Sequence, residues 1–504
     1  MIHHDTIIVG AGSAGGTLAA RLSQDPSRSI LLIEAGPDYP DPTLVPPDIL
    51  NGNALTYTHE WGYQSESFGE GRIVPLRRAK IIGGCSATNA CIALRGSPSD
   101  YDSWGSAGND GWSFRDVLPF FLKLENDIDF ADEWHNQRGP IPIRRFTPEE
   151  LTPVQSAFIA ACLQTGFPFT DDHNHPGASG AGHFPMNLVS GVRQSVALTY
   201  LRQARSRRNL RVLPGTTVER VLFEGDTAVG VELRDGSGNR ERLFAGNVVL
   251  SAGSYASPVI LMRSGIGDQQ ILEPIGIKTI HHLPGVGKNL QDHPLIGFHF
   301  GARDTGSGMG IPHYQTLLTL RSEGEQPTPD LMIFPISAVP AEKQKSPTGS
   351  LATIIVGLMK PRSRGWIRIR SAAVEAPPII QPGYFTEPGD IPRIVEGVQH
   401  MLQIVRAPEA RELLIQPIGF SFSQFELTES IAKYVLSNAG TYHHPTGTCK
   451  MGPAGDAGAV VGSRCNVHGV KNLSVVDASV MPEVPSANTN IPTIMLAERC
   501  AGWL

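Results

Sequence analysis

Cysteine is scarce in this chain: six in 504 residues, at positions 85, 91, 162, 449, 465 and 500. That density excludes a disulfide framework. No two of them stand at metal-ligand spacing, so the expectation is reduced thiols in a reducing compartment, with Cys449 a small buried residue. Charge is sparse as well, at 18% of residues with a formal net charge of -6. The lack of a positive excess argues against nucleic acid or an anionic membrane as a partner. The basic run RQARSRR at 202–208 is short and reads as a solvated helix end. No apolar run reaches membrane-spanning length. The opening MIHHDTIIVGAG lacks the charged and apolar regions of a signal peptide, so the expected location is the cytoplasm. Internal repeats and low-complexity tracts are missing too; the 54 glycines and 40 prolines are spread over many turns.

What is present is more specific. A chain of 504 residues is too long for one core and points to two domains or one bipartite domain. The apolar run DTIIV (5–9) ends in Gly10-Ala11-Gly12-Ser13-Ala14-Gly15. A helical pattern follows, TLAARLSQD, and then a second buried-type strand, SILLIE, at 29–34. Strand, glycine turn, helix, strand is one βαβ unit. Its three glycines allow a tight turn, close approach of backbone to a pyrophosphate, and close packing of helix on strand. The helix N-terminus then faces the phosphates. Glu34, 19 residues after Gly15, is placed to take ribose hydroxyls. The unit predicts a dinucleotide, NAD(P) or FAD. No second nicotinamide fingerprint follows. Instead Gly83-Gly84-Cys85-Ser86 makes a turn whose amides can approach a flat ring or a phosphate.

Residues 209–250 read as strands joined by hairpin turns. NLSVVDAS (472–479) is again a buried-type strand, closing on Asp477 before a helical tail. A domain built from both ends of the chain, with a second one inserted, fits this layout. The expected division is 1–150, 195–300 and 440–504 for the first, and 151–194 and 301–439 for the second. The Pro/Gly-rich 40–70 and the turn-rich 171–182 are the candidate gating loops.

Several blocks resemble the glucose–methanol–choline (GMC) flavin oxidoreductases. AKIIGGCSATNACIALRGSPSDYD (79–102) is similar to their first signature, and GSYASPVILMRSGIG (253–267) matches the second at every defined position. LPGVGKNLQDHP (283–294), HPTGTCKMG (444–452) and DASVMPEVPSANTNIPT (477–493) are also family-like, while 300–440 matches loosely. The resemblance implies an α/β protein: a Rossmann-like FAD-binding domain of GMC type with an inserted α+β substrate domain containing an antiparallel sheet. It implies FAD contacts at Gly10, Gly12, Ser13, Ala14, Gly15, Glu34 and Ala35 in the first unit, and at Gly84, Ser86, Asn89 and Ala90 in the first signature. Val218 would offer its backbone to the adenine, with Ala252 nearby. Asp477 and Ala478 would sit by the pyrophosphate, and Asn490 and Pro492 by the pyrimidine edge of the flavin. Two positions depart from the family pattern, Cys85 and Thr88. Thr88 stands where choline-oxidase-like members carry a histidine bonded to the flavin. Threonine cannot make that bond, so the FAD is expected to be non-covalent.

The activity implied by the resemblance is oxidation of an alcohol hydroxyl to a carbonyl by hydride transfer to flavin N5. Electrons then pass to O2, giving H2O2, or to another acceptor. Such chemistry needs a base with a pKa near neutrality and a second group to steady the alkoxide. Aligned on Pro445-Thr446-Gly447-Thr448, the base is His444. The partner is Asn488, eleven residues beyond Asp477. Asparagine cannot serve as a base, which leaves that task to His444. In an extended chain neighbouring side chains point to opposite faces, so His443 is expected to be a packed histidine. His281, His282 and His293 read as structural. DDHNH at 171–175 has metal-ligand residue types but belongs to a turn-rich stretch, and no metal is expected. Tyr442, two residues before His444, stands where a ring would crowd the approach of oxygen. For the substrate, a secondary hydroxyl of a sugar or glycoside leads and a primary aryl or furfuryl-type alcohol follows. Thr88 and Ala90 argue against a close choline-oxidase relative. A hydroxynitrile-lyase-like enzyme and a flavin-binding module without turnover are the rivals from other classes.

Overall fold

The apolar run at 5–9 lies within the strand His3–Val9, whose buried residues are covered on both faces as expected for the centre of a parallel set. The computed structural model describes residues 3–69, 71–303, 310–324, 327–342 and 345–504. His3–Val9 pairs in parallel with Ile30–Ile33 on one side and Arg240–Leu250 on the other. Leu210–Leu213 extends the sheet beyond Ile30–Ile33, and Leu473–Val475 adds in parallel to the end of Arg240–Leu250. Arg240–Leu250 is the junction of this seven-stranded sheet. Its first half pairs antiparallel with Thr227–Arg234, which turns back onto Thr217–Glu224.

Helix Ser13–Leu22 makes the crossover of the βαβ unit. Gly15 is where this helix meets the strand before it: a Cβ there would lie 1.8 Å from the Gly10 carbonyl oxygen, so no larger residue fits. The late helix Asn490–Cys500 packs beside Ser13–Leu22. Ser13 Oγ donates to Asn490 Oδ1 at 2.7 Å, and Arg21 grips the fully buried Glu498 carboxylate at 2.6 Å. Lys123 and the Tyr200 hydroxyl reach the same carboxylate.

The second sheet has eight strands and is mainly antiparallel. Its backbone is Pro294–Ala302, Ser350–Leu358, Leu331–Pro340 and Thr316–Leu320, each antiparallel to the next. Side chains alternate across these strands. Ile296, Phe298, Ile333 and Val356 face helix Asp390–Arg406, where Ile394, Val398 and Met401 cover them. Met332, Phe334 and Ile355 form part of the opposite face.

The strand Pro294–Ala302 differs from the expected division, which left 294–300 with the first unit. It pairs along its whole length with Ser350–Leu358, and a continuous ladder cannot be shared between two sheets. Gly440–Thr441 pairs with it as well. Conversely, the hairpin Trp366–Arg368 and Ile379–Gln381 lies in the expected substrate segment but buries Ile367, Ile369 and Ile380 in the core of the first sheet. Residues 304–309, 325–326 and 343–344 of the expected second domain, and residues 1–2 and 70 of the first, lie outside the described residues.

Candidate active site

A cavity of about 700 Å³ runs from the glycine turn after His3–Val9 to the inner face of the second sheet. Gly10, Gly12, Ser13 and Ala14 line it at the start of the first helix, and Glu34 and Ala35 at the end of the next strand. Gly84, Asn89 and Ala90 border it from the first-signature segment, Val218 and Ala252 from the strands and turn opposite, and Asp477, Ala478 and Asn490 from the last strand and helix. Gly84 crosses Gly12 so closely that a Cβ would lie 2.6 Å from Gly12 Cα. Glu34 is buried and accepts from the Ala11 and Gly36 amides, both at 2.9 Å; burial raises its carboxyl pKa, and these amides oppose the rise. Asp477 is held by Gly253 N at 2.8 Å and Ser257 Oγ at 2.6 Å. Asn490 Nδ2 and Asn488 Oδ1 are buried polar atoms without a protein partner on the wall of the cavity. A glycine cradle, a strand-end carboxylate and orphaned amides suit a dinucleotide carrying a polar ring.

Three of the residues expected to touch a cofactor do not line the cavity. Gly15 is consumed by packing against Gly10. The Ser86 hydroxyl turns inward, donating to Gly83 O at 2.6 Å and accepting from Val196 N at 3.1 Å. Pro492 lies in the buried first turn of Asn490–Cys500, behind Asn490. The turn-rich 171–182 also lies away from the cavity, whereas Leu55–Thr58 and Glu60–Tyr63 border it. Arg193 anchors that border, donating to the carbonyls of Ile49 at 3.1 Å, Asn51 at 2.5 Å and Ala54 at 3.0 Å.

His444 and Asn488 meet where the two sheets face each other. Asn488 Nδ2 lies 3.2 Å from His444 Nε2. The meeting is built by two antiparallel segments. Gln291 and Thr446 exchange backbone hydrogen bonds, and Tyr442 N donates to His293 O at 3.0 Å. This register sets His293 against His444, Nδ1 to Nδ1, at 3.0 Å. Asp292 beside it accepts from His444 N at 2.8 Å and from the Tyr384 hydroxyl at 2.6 Å, with Thr441 Oγ1 as a further donor. The Tyr442 ring lies over His444, centroids 4.3 Å apart. Burial pushes the His444 pKa well below the usual histidine range, and neighbouring His293, Arg78 and His443 push the same way. The imidazole is therefore neutral, with one ring nitrogen able to accept a hydrogen bond.

His443 corrects the extended-chain expectation. Its φ is +62°, in the left-handed region, so the chain kinks between the two histidines and both line the cavity. Burial, with Arg78 and Arg77, drops its pKa to about 3, and its carbonyl accepts from Arg78. His293 is a residue that sequence reasoning read as structural, and Asp292 is one it did not single out. Their signal was their place in the family-like block LPGVGKNLQDHP.

Asp172, in the run considered for metal, joins a buried ion-pair cluster. His135 contacts Asp172 at 2.9 Å, Asp127 at 3.1 Å and Glu125 at 3.4 Å. Arg145 pairs with Asp127 and Asp172, both at 2.7 Å, and Arg95 with Glu125. Three carboxylates thus face two guanidiniums and one imidazolium, with Asp129 a fourth carboxylate 3.7 Å from Arg145. Among the described residues all six cysteines are free, and no helix is long and apolar enough to cross a membrane.

Comparison with known proteins gives the family. Family models described as GMC oxidoreductase match residues 4–295 and 361–497. Mitochondrial choline dehydrogenase of Homo sapiens is 36% identical over 533 residues, covering 98% of this chain and 88% of that protein. The glucose dehydrogenase (FAD, quinone) of Drosophila melanogaster is 33% identical over 540 residues, covering 99% and 86%. The crystal structure of pyridoxine 4-oxidase from Mesorbium loti superposes with a TM-score of 0.91 at 32% identity, covering 99% of each chain.

Proposed function

This chain belongs to the GMC oxidoreductase family and is an FAD-dependent enzyme that oxidises an alcohol, and on that premise we propose that His444 is its base, Asn488 its alkoxide-steadying group, and a primary alcohol on an aromatic ring its substrate. The carrying observation is the convergence of a neutral His444 Nε2 and the Asn488 amide on one point of the cavity wall. A hydroxyl placed there gives its proton to Nε2, and the amide donates to the oxygen as negative charge develops. Bound FAD supplies the hydride acceptor. Gly10, Gly12, Ser13, Glu34, Gly84, Asp477 and Asn490 hold it in this reading. Thr88 borders the site without a ring nitrogen to alkylate, so the cofactor is held non-covalently.

The substrate class rests on the opposite wall. Leu295, Tyr314, Phe334, Ile336, Ile355 and Tyr442 form it, all apolar or aromatic. A sugar needs several hydrogen-bonding partners, which this wall does not offer, whereas a quaternary ammonium can be held by aromatic faces as well as by a free carboxylate. The acidic residues that line the cavity are all engaged: Glu34 and Asp477 by backbone amides, Glu60 by Arg77 and Glu375 by Arg234. The sugar or glycoside reading therefore gives way here to its runner-up. The glucose of one relative's name is not favoured by this wall; the choline of another is compatible with its ring faces but finds no free carboxylate, and pyridoxine, in the name of the structural neighbour, is an aromatic alcohol.

The test is anaerobic titration of the holoenzyme with benzyl alcohol, 4-methoxybenzyl alcohol, furfuryl alcohol, choline, glucose and methyl glucoside. Aryl alcohols should bleach the flavin, and readmitted air separates oxidase from dehydrogenase. Bleaching by choline or sugars alone would refute the substrate class. A compound consumed without bleaching would point to a lyase.

A further inference from the structure

We infer that His293 is a positioning residue that holds His444 in the tautomer with a bare Nε2 facing the cavity. The inference rests on the reading of His444 as base, but its evidence is separate. His293 Nε2 lies 3.1 Å from the Pro485 carbonyl oxygen. A carbonyl only accepts, so this nitrogen carries hydrogen. The ring is neutral, since burial together with nearby Lys360 drops its pKa to about 3. A neutral imidazole has one N–H, so His293 Nδ1 is bare. It can only accept, and the atom 3.0 Å away is His444 Nδ1. His444 therefore carries its hydrogen on Nδ1 and leaves Nε2 free. Asn488 Nδ2, a donor, lies 3.2 Å from that Nε2 and fits the same assignment.

The chain of constraint begins outside the cavity. Asp100 accepts from Ser486 N at 2.9 Å and Ser486 Oγ at 2.6 Å, and Lys360 donates to Val484 O at 2.9 Å. These bonds fix the loop that presents the Pro485 carbonyl, and the same loop ends at Asn488. One short segment thus sets the tautomer of the base through His293 and supplies the base's partner directly.

The consequence for the reaction is a clean proton balance. The substrate O–H bond breaks, an N–H bond forms at His444 Nε2, and the imidazolium is left with Nδ1–H already donated to His293. No second proton moves. The charged groups around the pair are Arg78 on the His443 side, Lys360 with its partner Asp100 on the His293 side, and Asp292, whose carboxylate is spent on the His444 backbone amide. No carboxylate takes the orienting place at Nδ1; a neutral ring does.

Two variants of the holoenzyme separate this role from packing. His293→Phe keeps the ring and removes the acceptor. His293→Asn returns an oxygen acceptor close to the Nδ1 position. Nitrogen-15 spectra of histidine-labelled protein, with His444→Ala to assign the signal, report the His444 tautomer without any turnover. Stopped-flow reduction with 4-methoxybenzyl alcohol reports the chemistry. The wild-type spectrum should show His444 protonated at Nδ1. His293→Phe should mix the tautomers and slow reduction about a hundredfold at unchanged FAD content, and His293→Asn should recover to within about tenfold of wild type. A wild-type His444 protonated at Nε2 overturns the inference, as does wild-type reduction by His293→Phe. If His293→Phe fails to fold, the wild-type spectrum and His293→Asn decide. If His444→Ala reduces normally, the base assignment falls and the tautomer result still stands or falls by its spectrum.

Discussion

Asn488 Nδ2 sits 3.2 Å from His444 Nε2, joining two turns 44 residues apart in sequence. In the proposed mechanism the two side chains form one unit with distinct jobs. Substituting His444→Ala should slow anaerobic flavin reduction by about 10²- to 10⁴-fold, the usual contribution of a general base. His443→Ala should cost less than about tenfold, because the Asn488 amide converges on His444 Nε2. Stopped-flow measurement of both variants checks the pair, and equal losses would remove His444 from its assigned role.

Asn488→Ala should slow reduction by about a hundredfold while leaving the protein yellow. Absorbance of the purified variant and its reduction rate are read on the same sample. Loss of the flavin instead would make Asn488 a cofactor anchor, in line with its orphaned buried Oδ1.

His135 makes a pH prediction. Burial opposes its charge, but hydrogen bonds to Asp127, Asp172 and Glu125 outweigh burial and raise its pKa to about 10 from the usual 6.5. Below the unfolded value the ring is protonated folded or unfolded, and its stabilising contribution is complete. Between about 6.5 and about 10 the folded chain keeps a proton that the unfolded chain has released, so stability falls as pH rises, and above that window the contribution is gone. Thermal melts across this range should show the decline in the wild type and a flatter profile in His135→Gln.

Glu498→Ala should lower unfolding free energy by about 3–5 kcal/mol, because it leaves the Arg21 guanidinium without its buried counter-charge. Urea denaturation of the two proteins measures it. A change below about 1 kcal/mol would mean that water replaces the carboxylate at no cost.

Much of the first sheet was legible because its cues are local. DTIIV, the three glycines and SILLIE lie within thirty residues, and each strand announces itself by a run of apolar residues. Pairing His444 with Asn488 came from block resemblance rather than from spacing. What escaped depends on contacts no window contains. His293 meets His444 across 151 residues, through the antiparallel bridge of Gln291 with Thr446. The kink at His443 is a left-handed φ on a residue that seldom adopts one, so alternation gave the wrong faces. Ser86 looked like a cofactor contact because it follows two glycines, yet its hydroxyl completes the backbone of Val196, 110 residues on. The second sheet's claim on residues 294–300 was hidden for the same reason: its partner strand starts at Ser350.

Arg240–Leu250 accepts His3–Val9 on one edge and Leu473–Val475 on the other, and the turn and helix after that last strand carry Asp477, Asn488 and Asn490. In the order of synthesis, the glycine turn comes first and the residues that finish its cavity come last. A nascent chain that has reached Leu250 contains the strands His3–Val9, Ile30–Ile33 and Leu210–Leu213, but it lacks Leu473–Val475, Asp477, Asn488 and Asn490. A product shortened before residue 490 lacks both Asn490 on the cavity wall and the helix that packs beside Ser13–Leu22, and is expected not to hold the cofactor.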